Sequence, residues 1–399
     1  MNNYDVAAFV WPAYTGDEKR TRIFWEKGMG EWQTVMNARP EDNGETWPRK
    51  PLWGYVNEAD PCVMEMEIEA AVSHGINTFI YDWYWYDGRP FLENCLNDGF
   101  LKAKNNHKMK FYLMWANHDA NTLWDVRNSH DVSMPIWTGA QDETEFKKIA
   151  RRITEKYFIL ENYYKIDNKP VFMIYDIVNL VDGLGGYEGV KRAFADFNKI
   201  AREYGFDGVH FQYVKINGDF RRLCRSYDTE LTEFELISDL GYSSMSHYQF
   251  VHFMGMEDIT YEKAIEYMLE EWQKCDERGI KYFPHVSLGW DPNPRFKKYT
   301  PNVIPDPKPE YIEKAFQLAK EFVDRHSENP PLIVVNSWNE WTEGSYFEPD
   351  NLYGYGYLKA AKSVFLNSAA ETADESECNN KFQKTITDSA PQLKRAASV

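Results

Sequence analysis

Residues 332–344, LIVVNSWNEWTEG, join an apolar run to a polar and aromatic end. The first four residues are branched aliphatics, and such uninterrupted runs are typical of strands that are buried on both faces of a parallel sheet. The two carboxylates Glu340 and Glu343 follow directly. In a (β/α)8 barrel the carboxyl ends of the strands form the face that carries active sites. The segment therefore predicts a last barrel strand with functional groups at its end.

Seven earlier runs resemble this one, and most are followed by a stretch with helical spacing of apolar residues. The predicted strands are 6–14, 78–86, 110–119, 170–176, 209–216, 242–249, 281–291 and 332–341. Helix-like stretches such as 187–205, YEGVKRAFADFNKIAREYG, end at a glycine, as helices often do. Strand–helix alternation without an evident β-hairpin predicts an α/β fold, a single-domain (β/α)8 TIM barrel over residues 1–370. The polar, aperiodic residues 371–399 are predicted to form a disordered tail.

Composition restricts the possible partners and the cellular location. The 399 residues include 45 Lys and Arg against 62 Asp and Glu, a net charge of −17, which gives no electrostatic support for binding nucleic acid or membranes. The five cysteines are far apart and form no CxxC pair, so buried free thiols are expected rather than disulfides or zinc ligands. The first residues do not show the pattern of a signal peptide, which leads us to expect a cytoplasmic protein.

The predicted strands end in polar and aromatic residues that would meet on one rim of the barrel. Aromatic residues make up 16% of the chain, and their flat faces pack well against the C–H faces of sugars. We therefore expect a carbohydrate cleft on this rim, to which the long loop 15–60 also contributes. Arg295 is expected either to bind an acidic group of the sugar or to form a local ion pair. The candidate substrate-binding residues are Trp11, Tyr14, Asp82, Trp83, Tyr84, Trp115, Asn117, Asp176, Gln212, Tyr248, Trp290, Asp291, Arg295, Trp338, Asn339 and Trp341.

Glu340 and Glu343 are the candidate catalytic pair. Glycoside hydrolysis needs two carboxyl groups, one to protonate the leaving oxygen and one to act as nucleophile or base. Residues three apart on a helical turn lie about 5–6 Å from each other, which fits the close carboxyl pair of retaining enzymes better than the wider pair of inverting ones. Trp338 and Trp341 would raise one carboxyl pKa by excluding water. The alternative is that Glu340 and Glu343 are two surface carboxylates on the first turn of a helix, where the helix dipole stabilises acidic residues.

The segment 336–350, NSWNEWTEGSYFEPD, resembles the WbsX-type domain, which is itself similar to glycoside hydrolase family 99. The likeness extends over residues 4–366 and includes WPAYTGDE, FIYDWYWYDGRPFLE, FYLMWANHD, KPVFMIYD and GWDPNPR. The resemblance implies a (β/α)8 barrel that acts with retention on α-mannosides or related sugars and needs no metal. It also implies that Glu340 deprotonates the substrate 2-hydroxyl to form a 1,2-anhydro sugar, and that Glu343 is the general acid/base.

Two departures from the family 99 pattern put mannose in doubt as the substrate. Asn117 stands where that family has a glutamate-containing HIEPY-like motif, and Thr342 replaces a histidine of the catalytic motif.

Three functions therefore remain open from the sequence. The first is a retaining glycosidase that binds an oligo- or polysaccharide and uses no cofactor. The second is a glycosyltransferase of polysaccharide biosynthesis, for which no glycine-rich phosphate loop is evident. The third is a barrel that binds carbohydrate without catalysis. A metalloenzyme has less support, because the nine histidines form no HExxH motif.

Overall fold

The computed structural model describes residues 3–366 except 17, 40–47, 126, 128–134, 217–219, 224–229, 258 and 306. The tail predicted for residues 371–399 lies outside the described residues. Eight parallel strands form the barrel, one in each of the eight predicted runs. They are β1 (Asp5–Val10), β2 (Thr78–Tyr86), β3 (Lys110–Trp115), β4 (Lys169–Ile174), β5 (His210–Val214), β6 (Ser244–Ser246), β7 (His285–Ser287) and β8 (Leu332–Asn336).

The sheet runs in the order β6–β5–β4–β3–β2–β1–β8–β7. Among the described residues, β6 and β7 are therefore the one pair of neighbouring strands without a regular ladder between them. These two strands meet through a parallel bridge between Met245 and Tyr282. The Met245 N–H donates to the Lys281 carbonyl at 2.9 Å, and the Phe283 N–H donates to the Met245 carbonyl at 3.0 Å. The barrel is therefore nearly closed, and the predicted (β/α)8 fold is confirmed.

The helices that follow the strands carry their apolar residues on the side that packs against the barrel. Asp60 and Asp142 cap the starts of α2 (Pro61–Ser73) and α3 (Glu143–Ile153). Gly75 and Gly205 adopt φ angles of 91° and 87° just past the ends of α2 and α5 (Tyr187–Glu203). No helix in the described part of the chain is long and apolar enough to span a lipid bilayer. The helices are α1 (Trp32–Val35), α2 (Pro61–Ser73), α3 (Glu143–Ile153), α4 (Ile177–Gly183), α5 (Tyr187–Glu203), α6 (Glu233–Leu240), α7 (Tyr261–Asp276), α8 (Pro309–Arg325) and α9 (Gly356–Phe365).

The segment after β2 departs from the expected alternation. Residues Arg89–Phe91 fold back antiparallel to the end of β2. The turn between them is Asp87–Gly88, with φ angles of 53° and 70°. Asp-Gly is a strong signal for such a turn, because both positions need positive φ. The expectation that the chain has no β-hairpin was therefore wrong here.

Strand β2 shows how the sequence divides its aromatic residues between the two sides of the barrel wall. All nine of its residues are buried. Successive side chains alternate in direction, so Asp82 and Tyr84 face the barrel axis while Trp83 and Trp85 face the helices. The Trp83 indole donates to Glu93 at 2.8 Å, and the Trp85 indole donates to Glu145 of α3 at 3.1 Å.

Three of the five cysteines lie among the described residues. Cys95 and Cys275 are buried free thiols, as expected, whereas Cys62 in the first turn of α2 is exposed. Cys224 and Cys378 lie outside the described residues.

Candidate active site

One guanidinium holds both candidate catalytic carboxylates. Arg295 Nη2 lies 2.9 Å from Glu340 Oε1, and Arg295 Nη1 lies 2.5 Å from Glu343 Oε1. Arg295 ends a short 3-10 helix in the loop after β7, and the two glutamates follow β8. Arginine presents two parallel donors in a rigid fork, and this fork fixes the two carboxylates relative to each other.

A tight turn after β8 gives the two glutamates their positions. Residues Asn339–Glu340 pair antiparallel with Ser345–Tyr346, and a 3-10 turn, Trp341–Glu343, closes the loop between them. Gly344 has a φ of 63°, and a Cβ there would lie 2.8 Å from the Cβ of Asp291. The Asp291 N–H donates to the Glu343 carbonyl at 2.6 Å. Glycine is therefore required where this turn meets the loop from β7.

Glu31 is a third carboxylate at this guanidinium, and the sequence analysis missed it. Its Oε1 lies 3.5 Å from Arg295 Nε, and its other oxygen accepts a hydrogen bond from the Trp11 indole. Burial raises the pKa of Glu31 even though Arg295 acts in the opposite direction. A carboxylate between Gly30 and Trp32 of the long loop was the only signal for it in the sequence. We call Arg295, Glu31, Glu340 and Glu343 the Arg295 cluster.

Tyr248 connects the Arg295 cluster to Asp82. Its hydroxyl lies 3.1 Å from Asp82 Oδ2 and 3.2 Å from Glu340 Oε2. Burial, and then the neighbouring Glu343, raise the pKa of Glu340 well above its usual range, while Arg295 lowers it. Burial likewise raises the pKa of Asp82, and the Tyr248 hydroxyl opposes this shift. The site therefore combines carboxyl groups that favour protonation with a cation that favours the ionised form.

Aromatic rings line one side of these groups. The rings of Trp11 and Tyr84 meet edge to face with their centroids 5.7 Å apart, and Trp124 packs against both. The backbone N–H of Trp341 donates to the Tyr14 hydroxyl at 3.2 Å. Trp11, Tyr14 and Tyr84 thus lie near the carboxylates, and their contact with a substrate stays a prediction.

Four tryptophans expected at the substrate pack elsewhere, which corrects that part of the prediction. Trp83 and Trp338 donate to Glu93 and Glu67, respectively, on the helix side of the wall. Trp115 packs on Phe146 of α3, and the Trp341 ring stacks on Tyr346 at 3.8 Å. Strand alternation explains Trp83 and Trp115, which pair with each other in β2 and β3 and therefore point to the same face.

Asn117 and Asn339 connect strand ends. The side-chain amide of Asn117 pairs with both the N–H and the carbonyl of Asp176 at 2.7 Å. The side chain of Asn339 pairs in the same way with the N–H and carbonyl of Trp11, at 2.8 and 2.9 Å. Asp176 in turn caps α4 through the Asn179 N–H. Asn117 and Asn339 thus hold neighbouring strand ends together at the rim of the barrel. Their side-chain amides form these hydrogen bonds within the protein.

The remaining candidates lie around the same barrel. Gln212 is fully buried in β5, and neither polar atom of its side chain has a partner among the described residues. Asp291 accepts hydrogen bonds from Asn293 in the loop after β7. Trp290 is half-buried and bridges to Ile304.

A sequence model of the family described as Glycosyltransferase WbsX matches residues 6–361 of the chain. The chain belongs to the WbsX family. Two relatives from Xanthomonas campestris pv. campestris, each described as uncharacterized protein WxcX, are 26% identical over 358 residues. The match covers 88% of this chain and 48% of each relative, so the chain spans about half the length of these two relatives.

Solved structures with the same fold include a family 99 endo-α-mannosidase from Bacteroides thetaiotaomicron. It is 14% identical, with a TM-score of 0.56, and the match covers 91% of this chain and 96% of the mannosidase. A second structure, described as a glycoside hydrolase-like protein, is 16% identical with a TM-score of 0.59, covering 92% and 94% of the two chains. At these identities the likeness establishes the barrel fold of this WbsX-family chain.

Proposed function

We propose that the chain hydrolyses an α-linked glycan with retention, using Glu340 and Glu343 as its catalytic carboxylates. The observation that carries this proposal is the shared guanidinium of Arg295, which holds both glutamates at the carboxyl end of β8. A close carboxyl pair is the arrangement that retaining glycosidases use. The family 99 neighbours and the aromatic wall of Trp11 and Tyr84 support a carbohydrate substrate.

The surroundings of the two glutamates suggest different roles for them. The side chain of Glu340 is 2% exposed and that of Glu343 is 14% exposed. We assign the more accessible Glu343 as the acid/base at the glycosidic oxygen, and Glu340 as the base that takes the proton of the sugar 2-hydroxyl. A raised pKa makes Glu340 a stronger base, and Arg295 stabilises the ionised form that a base must have.

The test is cleavage of a panel of α-linked oligosaccharides by the wild type, Glu340→Gln and Glu343→Gln. We expect each variant to lose on the order of 10³-fold in kcat/KM, because each removes one acid/base group. Glu321→Gln, at an exposed position of α8, is the matched control and should keep full activity. NMR should show that the first product has the anomeric configuration of the substrate. An initially inverted product would contradict the close-pair mechanism.

Glycosyl transfer is the second candidate, and the family description favours it. The same purified protein should then be incubated with acceptor sugars in the presence and absence of nucleotide sugars. Cleavage that needs no nucleotide sugar supports hydrolysis. Sugar transfer that occurs only when a nucleotide sugar is added would overturn the hydrolase proposal. Binding that persists in both glutamate variants, without turnover by the wild type, would instead indicate a carbohydrate-binding barrel.

A further inference from the structure

A second group of buried carboxylates contacts the segment that carries Glu340. Glu58 precedes α2, Glu67 is within α2, and Glu348 follows β8. One oxygen from each lies within 4.8 Å of one oxygen from each of the others. Their exposed fractions are 0%, 0% and 2%. We call these three residues the glutamate triad.

Each member of the triad is held by one donor from the segment after β8. The Trp338 indole donates to Glu67 Oε2 at 3.1 Å, the Asn339 amide donates to Glu58 Oε1 at 2.8 Å, and the Trp341 indole donates to Glu348 Oε2. These contacts orient the carboxylates, as the outer hydrogen bonds of metal sites do.

The second oxygen of each triad carboxylate has a weak hydrogen-bond partner or none among the described residues. Glu67 Oε1 and Glu348 Oε1 are buried and have no hydrogen-bond partner among the described residues. Glu58 Oε2 is contacted by the Cys95 thiol at 3.5 Å. A buried carboxylate oxygen without a partner is costly, so these atoms call for a ligand that accepts their lone pairs.

A comparison within the protein shows that the triad is unusual. His247, Glu271 and Cys275 also lie close enough together to hold a metal ion, but Lys215 Nζ already lies 2.8 Å from Glu271. In the described part of the chain, no Lys, Arg or His acts on the triad in this way. Burial and the neighbouring carboxylates raise the pKa values of Glu58 and Glu67, and burial raises the pKa of Glu348 to about 8. The triad therefore lacks a cation of its own.

We propose that the glutamate triad binds a divalent cation of the calcium type. Calcium takes oxygen ligands at about 2.3–2.6 Å in a flexible geometry and accepts carboxylates through one oxygen or both, and each member of the triad offers one oxygen to a common point. Two oxygens bound to one such ion are at most about 4.8 Å apart, so three oxygens that all lie within 4.8 Å of one another can bind the same ion. Magnesium fits less well, because it usually keeps several waters and this site is buried.

The bound cation would connect α2 to the segment that positions the active site. Glu67 belongs to α2, and the donors that hold the triad are Trp338, Asn339 and Trp341, on both sides of Glu340. The cation is assigned a structural role, and its binding can be measured without any glycan substrate.

The first experiment uses the unmodified protein. After treatment with EDTA and removal of the chelator, the full chain is dialysed against CaCl2, and bound calcium is measured by atomic emission. We expect one tightly held calcium per chain and a Tm that rises by roughly 5 °C when calcium is added. MgCl2 should give a smaller rise. If there is no tightly held calcium and no change in Tm, the proposal is wrong and the triad holds protons instead.

The second experiment separates the triad from other acidic groups of this negatively charged chain. Glu67→Gln should lose the calcium-dependent rise in Tm, whereas Glu69→Gln, an exposed position of the same helix, should keep it. Tb³⁺, which replaces calcium, should give emission sensitised by the Trp338 and Trp341 indoles in the wild type and in Glu69→Gln. Equal emission from Glu67→Gln would overturn the assignment. If Glu67→Gln does not fold, the calcium content of the wild type, measured in the first experiment, tests the proposal.

Discussion

The Arg295 cluster and the glutamate triad both contact the same short segment after β8, and they differ in how their negative charge is compensated. Each contains three glutamates, and all are buried except the partly exposed Glu343 of the Arg295 cluster. In the Arg295 cluster a guanidinium contacts all three at 2.5–3.5 Å. In the triad the only donors in the described part of the chain are indole, amide and thiol groups.

The two clusters differ in the source of the positive charge that compensates their carboxylates. A guanidinium stays protonated at every pH that a folded protein meets, so the Arg295 cluster carries its compensation permanently. The triad must take protons or a cation from the solution. The first arrangement suits groups that must keep a fixed geometry during catalysis, and the second makes stability depend on pH and on ions.

The largest expected effect comes from removing the fixed charge. Arg295→Ala leaves the buried Glu31 and Glu340 and the partly exposed Glu343 without a counterion, and breaking such an arrangement costs about 3–5 kcal/mol. Burial already raises the pKa values of Glu31 and Glu340 and Arg295 opposes this shift, so without Arg295 these two values rise further. The stability is then kept at acidic pH and lost as the pH rises through the raised values. Urea unfolding at several pH values should therefore show a deficit that shrinks towards acidic pH.

Two control variants make this prediction specific. Arg295→Lys keeps a charge but loses the fork, so we expect an intermediate loss of stability. Arg151→Ala removes an exposed arginine of α3 and should have little effect. A deficit of Arg295→Ala that stays the same at every pH would contradict the charge argument.

When no divalent cation is present, the triad should also make the stability of the protein depend on pH. The pKa of Glu348 is about 8 in the folded chain, against an ordinary value of 4.5. The native state therefore retains a proton that the unfolded state has lost, and stability should fall by up to ~1.4 kcal/mol per pH unit as the pH rises between these values. In EDTA, Glu348→Gln should give a flatter dependence than the wild type. Parallel curves would show that Glu348 does not titrate in this range.

The barrel could be predicted from the sequence because each strand forms a recognisable apolar run. Even β6, with only three residues, lies within the predicted run 242–249. The candidate pair Glu340 and Glu343 could be predicted because both residues lie in one short segment at a strand end. What the sequence did not reveal were contacts between distant segments. Glu31 reaches Arg295 across 264 positions of the chain, and Glu58 reaches Glu348 across 290, so no spacing rule could have paired them.

The direction of side chains at strand ends was the other obstacle. Trp83 and Tyr84 are neighbouring aromatic residues, and the sequence predicted that both bind substrate. Of the two, Tyr84 faces the carboxylates and Trp83 faces the helices. Which face is inward depends on the register of β2 with its neighbours, which the sequence alone did not fix.

A smaller effect is expected at the connection between the two clusters. Asn339→Ala frees the N–H and carbonyl of Trp11 and one oxygen of Glu58, and should cost roughly 2 kcal/mol. Asn117→Ala is a matched control, because Asn117 makes the same paired bonds to Asp176 at another strand end. Both variants should lose similar stability in denaturant unfolding, and only Asn339→Ala should also weaken the response to calcium. An equal response to calcium would show that Asn339 does not support the triad.

The smallest effect should come from Tyr248→Phe, which leaves both clusters charged as before. The variant loses one hydroxyl shared between Asp82 and Glu340, and we expect kcat/KM for glycan cleavage to fall on the order of tenfold. The hydroxyl lowers the pKa of Asp82, so its removal should raise that pKa and move the acidic limb of the pH profile to higher pH. Profiles of kcat/KM against pH for the wild type and the variant test this. A lower rate with an unmoved limb would mean that Tyr248 positions the substrate and does not tune the carboxyl groups.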